Sequence, residues 1–305
     1  MKYPRTYHLP YSPGATKDDK KLQGNWFINY KDKEIVITEK LDGENSAFTY
    51  NGVYARSHGN ITTSPWSRNL WDPQEGLYWN CKSCIGENEI LFGENLYGEH
   101  SIHYSNLPAY FFLFACCDDN NFYSWDDVVN MSEICFLRHV PVLWEGKVSS
   151  EKELEDLVNK LVKEPSEFGD TREGVVIRIK DSFPIKDFSK YVCKWVRPNH
   201  VQTDEHWTRN WKKATIIDHF DKLPKSLFYK GKEYKLDIYQ VKDTKDDLYG
   251  WWIAKYGDDI PPATKGKDGY VYYLCTAFPH YDDMINDMLE RVNNLILNQN
   301  YFIMI

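Results

Sequence analysis

Glu34-Ile35-Val36-Ile37-Thr38-Glu39-Lys40-Leu41-Asp42-Gly43-Glu44-Asn45 is the stretch from which the rest of the chain is read. The run from Glu34 to Glu39 is dense in apolar β-branched residues and predicts a buried β-strand. Asp42-Gly43 predicts a tight turn directly after it. Lys40 therefore leaves a rigid strand end and points into whatever pocket lies beyond. A lysine held there among other cations loses its proton, and a neutral amine is a nucleophile. Taken alone, Lys-x-Asp-Gly equally describes a surface lysine before a turn.

The composition narrows the setting. A chain of 305 residues is long enough for two domains. With 42% hydrophobic residues and 16% aromatic ones it carries a packed core rather than disorder. Twenty-two tyrosines and 11 tryptophans exceed what a core alone requires, so part of that set is expected to line a surface where flat ligands stack. A formal net charge of -8 argues against bulk electrostatic coating of nucleic acid but leaves room for a local basic groove. Seven cysteines, an odd number, suit a reducing cytoplasm better than a disulfide framework. Cys81-Lys82-Ser83-Cys84 has the spacing of half a zinc site, but no second such pair exists, and His100 and His103 would have to complete it by folding. The N-terminal Met1-Lys2-Tyr3-Pro4-Arg5 lacks a signal-peptide apolar run, and no stretch reaches the ~20 apolar residues of a membrane span. The expectation is a soluble, cytoplasmic protein without membrane contact.

Residues 1–33 read as loop, punctuated by Pro4, Pro10, Pro13 and Gly14. Strands are expected at 34–39, 46–50 and 53–57, the last two joined by an Asn51-Gly52 hairpin turn. Residues 60–85 read as irregular with short helices. Further strands are expected at 89–95, 110–116, 174–179 and 190–196, the second apolar enough to be buried on both faces. Ser150 and Glu153 form a capping box for a helix over 150–163, with Leu154, Leu157, Val158, Leu161 and Val162 on one face. Strands joined mostly by turns or irregular loops predict an α+β domain built on a largely antiparallel sheet. After Pro198 the texture changes, which puts a boundary near 200 and divides the chain into 1–200 and a smaller α+β domain over 201–305. In the latter, helices are expected at 204–219 and 282–297, and strands at 227–230, 233–241, 250–256 and 270–277.

Five short elements then occur in order: Lys40-x-Asp42-Gly43-x-Asn45, Arg56-Ser57-His58-Gly59, Phe92-Gly93-Glu94-Asn95-Leu96-Tyr97-Gly98, Glu173-Gly174-Val175-Val176-Ile177-Arg178 and Lys194-Trp195-Val196-Arg197. As an ordered set they resemble the covalent nucleotidyltransferase superfamily of ATP-dependent RNA ligases, DNA ligases and mRNA capping enzymes, and within it the RNA ligase 2 type. The resemblance covers roughly residues 34–200. Pro4-Arg5-Thr6-Tyr7-His8-Leu9-Pro10 and the run from Pro198 to Asp204 also look like phage-type members.

The resemblance implies that Lys40 attacks the α-phosphate of ATP, forming lysyl-AMP and releasing pyrophosphate. Lys194, Arg56 and a bound Mg²⁺ are then expected to depress the Lys40 pKa and to stabilise charge on the phosphate. Glu94 matches a carboxylate bonded to a ribose hydroxyl. Glu173 matches one beside the lysine and the metal, where a hard oxygen ligand suits Mg²⁺. Arg56 matches a position near ribose and phosphate, where its fork suits oxyanions. Asn45 and Glu39 match positions that hold phosphate and adenine. Phe112 lies where the family stacks a ring on adenine, and Phe114, which alternation puts on the same strand face, is the alternative. One departure stands out: many relatives end the set with Lys-x-Lys, whereas here Arg197 is the next cation and strand alternation turns it away from Lys194.

The function implied is ATP-dependent joining of 3′-hydroxyl and 5′-phosphate ends of RNA, or of an RNA-containing nick, by a monomer. Residues 201–305 would engage the nucleic acid through Lys222, Lys225, Lys230, Lys232 and Lys235 interleaved with Phe228, Tyr229 and Tyr234. Alternatives are an ATP-dependent DNA ligase, a GTP-using capping guanylyltransferase, and a nucleic-acid end-binding protein without turnover.

Overall fold

The computed structural model describes residues 2–55, 61–74, 76–135, 137–198 and 211–216, together with four strands between Ser226 and Ala254. The chain divides into two compact units, Met1–Ile217 and Asp218–Ile305. The first unit contains β1 (Tyr7–His8), β2 (Glu34–Lys40), β3 (Glu44–Thr49), β4 (Gly52–Ala55), α1 (Arg68–Trp71), α2 (Leu77–Cys81), β5 (Ile90–Asn95), β6 (Phe111–Cys117) and β7 (Asn121–Phe122). It continues with α3 (Trp125–Ile134), β8 (Arg138–His139), β9 (Val142–Lys147), α4 (Glu151–Leu161), β10 (Gly174–Ile179), β11 (Phe183–Pro184), α5 (Phe188–Tyr191) and β12 (Val192–Val196).

Two sheets result. One has the order β1-β12-β10-β2-β9; the other runs β11-β7-β6-β5-β3-β4, with β8 added beside β6. Apart from β1–β12 and β6–β8, the described ladders of both sheets are antiparallel, so the architecture is α+β as the strand-and-turn pattern predicts.

Alternation in β2, β10 and β12 separates two roles. Ile35, Ile37, Val175, Ile177, Cys193 and Trp195 fall on one face and pack with Leu154, Val158 and Leu161 of α4 and with Trp26, Phe27 and Tyr30. Burying each such apolar side chain contributes about 1.5–3 kcal/mol, so α4 is held by its apolar stripe more than by helix propensity. The other face carries Thr38, Lys40, Val176 and Lys194, which line a cleft shared with residues of the second sheet.

Local details depart from expectation. Thr49 pairs with Gly52, so the hairpin loop is Tyr50-Asn51, and Gly52, at φ 144°, takes the backbone conformation a β-carbon disfavours. Ser150 caps α4 by accepting from the Glu153 N–H, and the Glu153 carboxylate reaches back to the Ser150 N–H of the expected box and, in addition, to the N–H and hydroxyl of Ser149. The helix expected over 204–219 fails within 211–216, where Lys213 bridges to Gly98 and Ile216 to Leu107.

In the second unit β13 (Ser226–Tyr229) pairs with β14 (Lys232–Lys235), and β15 (Asp237–Lys242) with β16 (Tyr249–Ala254), both antiparallel. The single strand expected at 233–241 is thus divided in two. The expectations at 270–277 and 282–297 lie outside the described residues. Among the described residues no helix is long and apolar enough to cross a membrane.

Candidate active site

Lys40 is the last residue of β2 and stands opposite Gly174, the first of β10. A β-carbon at Gly174 would lie 2.0 Å from the Trp195 carbonyl oxygen, so only glycine lets β10 and β12 close here. The same holds for Gly43, where a β-carbon would come within 2.5 Å of the Asn95 carbonyl oxygen. These two close approaches bring Glu173 and the β5 strand end against Lys40. Its Nζ donates to Glu173 Oε2 at 2.7 Å and to the Leu41 carbonyl at 3.5 Å. Asp42 fixes the turn: its Oδ2 accepts from the Ser101 N–H and hydroxyl and from the Ile102 N–H, while its own N–H donates to the Tyr104 hydroxyl.

Glu94 stands opposite Asn45 across the β3–β5 ladder, so the two share a face, and Glu94 Oε1 accepts from the Gly43 N–H at 3.1 Å. Lys194, in the middle of β12, pairs with Val176 and, on its other side, with His8. The cleft encloses about 1080 Å³ and is lined by Lys40, Asn45, Glu94, Glu173 and Lys194 among others. That volume suits a nucleotide-sized ligand.

The charge balance corrects one expectation. Burial alone pulls the Lys40 ammonium down, but Glu173, Glu94 and Asp42 together outweigh it, and its pKa lies above the ordinary lysine value. Among the described residues the carboxylates dominate the surroundings of Lys40. Burial first, then Glu173 and Asp42, push Glu94 up to about 8, against Lys40 and the Gly43 N–H.

Other expected residues are distributed less simply. Glu39 alternates to the far face of β2, where its Oε2 accepts from the Glu167 N–H and lies 3.5 Å from Arg172 Nε. It still counts among the residues lining the cleft, and burial raises its pKa despite Ser166, Glu167 and Arg172. Phe112 and Phe114 do not share a face by plain alternation. Leu113 pairs with Gly93 but Ala115 with Phe92, which leaves Phe114 as the extra residue of a bulge. Phe112 is 1% exposed and packs on Phe168 at 4.9 Å, whereas Phe114 lines the cleft. Arg197 lies beyond the end of β12, its N–H bonded to the Glu173 carbonyl, and is not among the cleft-lining residues. Arg56 lies outside the described residues. Cys81 and Cys84 turn toward the backbone of Cys135 and Ile134, and His103 pairs with Glu99, so the half zinc motif and this histidine are engaged separately.

The sequence reading missed two cleft residues, His8 and Asp19. For His8 the signal was the Pro4–Pro10 run, noted only as a likeness; Asp19 lies beyond that run and carried none.

The chain matches the family model described as RNA ligase over residues 33–196, more than half its length. Similar solved structures include a lysine-to-alanine mutant of a Naegleria gruberi RNA ligase with ATP and Mn, at 16% identity and TM-score 0.44, over 63% of this chain and 60% of that one. An archaeal ATP-dependent RNA ligase is similar at 13% identity and TM-score 0.42, over 64% of this chain and 48% of that one. The chain thus spans less than two thirds of the length of either ligase. No curated protein matches it. A family match that runs from the residue before β2 to the last residue of β12, and so carries every strand that supplies Lys40, Glu94, Glu173 and Lys194, means that the chain belongs to the RNA ligase family.

Proposed function

We propose that this chain is an ATP-dependent RNA ligase that joins 3′-hydroxyl and 5′-phosphate ends through lysyl-AMP and an adenylylated strand. The observation that carries the reading is the 2.7 Å contact of Lys40 with buried Glu173 in a cleft that also holds Glu94 and Lys194. Family membership supports the same chemistry.

Lys40 would attack the α-phosphate as a free amine, with pyrophosphate leaving in line. Glu173 holds the ammonium form, so attack requires that this carboxylate be engaged elsewhere. Glu173 offers one hard, buried oxygen that would hold Mg²⁺ together with the phosphates of ATP, since the described residues form no larger cluster of metal ligands. When bound, the ion supplies positive charge that offsets both Glu173 and the phosphates. Lys194 then stabilises charge on the reacting phosphate, and Glu94, part protonated near neutral pH, hydrogen-bonds the ribose. Val176 and Phe114, apolar residues of the cleft wall from the two sheets, would hold the base. Residues of the second unit would engage the strand.

Incubation of the purified chain with Mg²⁺ and ATP, read by intact mass, tests this. A gain of one AMP that pyrophosphate reverses is expected. A GMP adduct from GTP would indicate capping chemistry, and no adduct in folded, unadenylylated protein would rule the ligase reading out.

A further inference from the structure

His8 belongs to the cleft wall although it precedes the family-matched residues. β1 runs parallel to β12 with His8 opposite Lys194, so the two side chains leave the sheet on the same face. His8 is 2% exposed, and its Nε2 is buried without a hydrogen-bond partner. Native proteins rarely leave a buried polar atom unmatched, because its lost hydration is not recovered.

The protonation of the ring follows from Ser12. The Ser12 hydroxyl accepts from the Val196 N–H at 3.0 Å, which leaves its single proton to donate. That proton has two acceptors in reach, the Val196 carbonyl at 3.5 Å and Nδ1 of His8 at 2.9 Å; the nearer one, together with the Asp19 carboxylate 3.7 Å from Nε2 that favours hydrogen on that atom, assigns it to Nδ1. Nδ1 is then the acceptor and Nε2 carries hydrogen. Burial first, then Lys194, hold the pKa down to about 4, so the ring is neutral at ordinary pH. The nearest acidic group, Asp19 Oδ2, is 3.7 Å from Nε2 and already accepts from the Thr16 N–H and hydroxyl. The result is a fixed, neutral N–H in the cleft, beside the Lys194 ammonium, with no hydrogen-bond acceptor among the described residues.

We propose that His8 Nε2–H donates to a phosphate oxygen of the bound ligand beside Lys194, and that Ser12 is the positioning residue that keeps the proton on Nε2. The N-terminal segment thereby completes the phosphate-binding wall. A neutral donor adds direction there without a second full charge next to Lys194. The proposal rests on the ligase reading for the ligand: a nucleoside triphosphate or the 5′-phosphate of an RNA strand.

The test is calorimetric binding to the full chain in EDTA, which keeps turnover out of the measurement. ATP is compared with adenosine, and a 5′-phosphorylated RNA oligonucleotide with its 5′-hydroxyl twin, for wild type, His8→Ala, His8→Gln and Ser12→Ala. His8→Ala is expected to weaken a phosphorylated probe roughly 10- to 100-fold, the usual worth of a hydrogen bond to a charged group, and its unphosphorylated twin less than twofold. Gln, which offers an N–H at similar reach, recovers most of the loss. Ser12→Ala, which keeps the ring, gives a smaller loss of the same pattern and serves if His8→Ala does not fold. Loss confined to ATP assigns the triphosphate; loss confined to the oligonucleotide assigns the strand end. Equal affinities in folded variants, or equal weakening of both twins, overturn the proposal. Because binding is read without turnover, absence of lysyl-AMP would count against the ligase reading and not against His8.

Discussion

At the scale of single residues, Lys40 is the group whose loss should separate chemistry from folding. Its side chain is a quarter exposed while that of its partner Glu173 is 1% exposed. Lys40→Ala is therefore expected to abolish the AMP adduct and to lower the thermal midpoint by only a few degrees, as Glu173 loses one partner. Intact mass and a melting curve on the same sample check both, and an adduct surviving on another residue would remove Lys40 as nucleophile. Glu94 makes a different prediction. An unfolded glutamate gives up its proton near 4.5, but burial and the neighbouring carboxylates raise the folded value to about 8. Between those values the folded state binds more protons than the unfolded one, so stability falls as pH rises. The contribution is fully present below the unfolded pKa and is lost as pH passes the folded one. Glu94→Gln cannot ionise, and its melting midpoint should gain on wild type by a few degrees as the buffer is taken from about pH 5 to about pH 8. A difference that stays flat across that range would contradict the raised pKa.

At the scale of elements, the glycines of the two strand ends hold the site together. In Gly43→Ala the new methyl would meet the Asn95 carbonyl oxygen at 2.5 Å and Leu96 Cδ2 at 2.6 Å. Backbone cannot swing aside as a side chain does, so a cost of about 1–3 kcal/mol is expected. Denaturant melts should show the earlier midpoint, and adenylylation should slow even where the protein stays folded, because the Gly43 N–H that holds Glu94 moves too. The same elements show what was legible in the sequence. Strands with dense β-branched or aromatic runs, β2, β5, β6 and β10, fall where expected because their periodicity reports burial directly. The capped, amphipathic α4 does likewise. α3 went unread although Ser124 and Asp127 cap it, since its apolar residues are diluted by Asp126, Asp127, Asn130 and Glu133. β9 is half exposed, and β1 is two residues long among prolines, so neither carries a pattern. The site followed the same logic. Lys40, Glu94 and Lys194 sit in strands and Glu173 directly before one, all with motif spacing, whereas the Phe114 bulge and the pairing of His8 with Lys194 arise only from register.

At the scale of the whole molecule, the residues proposed for the reaction, Lys40, Glu94, Glu173 and Lys194, belong to Met1–Ile217, and both apolar clusters are built within it. Trp211–Ile216 belongs to that unit through the Gly98–Lys213 and Leu107–Ile216 bridges and through buried Ala214. A cut at 200, where the composition changes, would strip those bridges away; a cut after Ile217 preserves them. On the β13–β14 hairpin of the second unit Tyr229 pairs with Lys232 and Leu227 with Tyr234, which sets lysine and aromatic positions along one ladder. The two halves of the proposed reaction should therefore separate on truncation. A chain ending at Ile217 is expected to form the AMP adduct at near the full-length rate, yet to seal RNA ends at least 10-fold more slowly at limiting substrate, since strand contacts outside the cleft are lost. Adenylylation by mass and joining of a pre-adenylylated RNA by gel report the two steps independently. Equal sealing by the two lengths would mean that Asp218–Ile305 does not engage the strand, and loss of the adduct itself would mean that the first unit depends on the second for its active conformation.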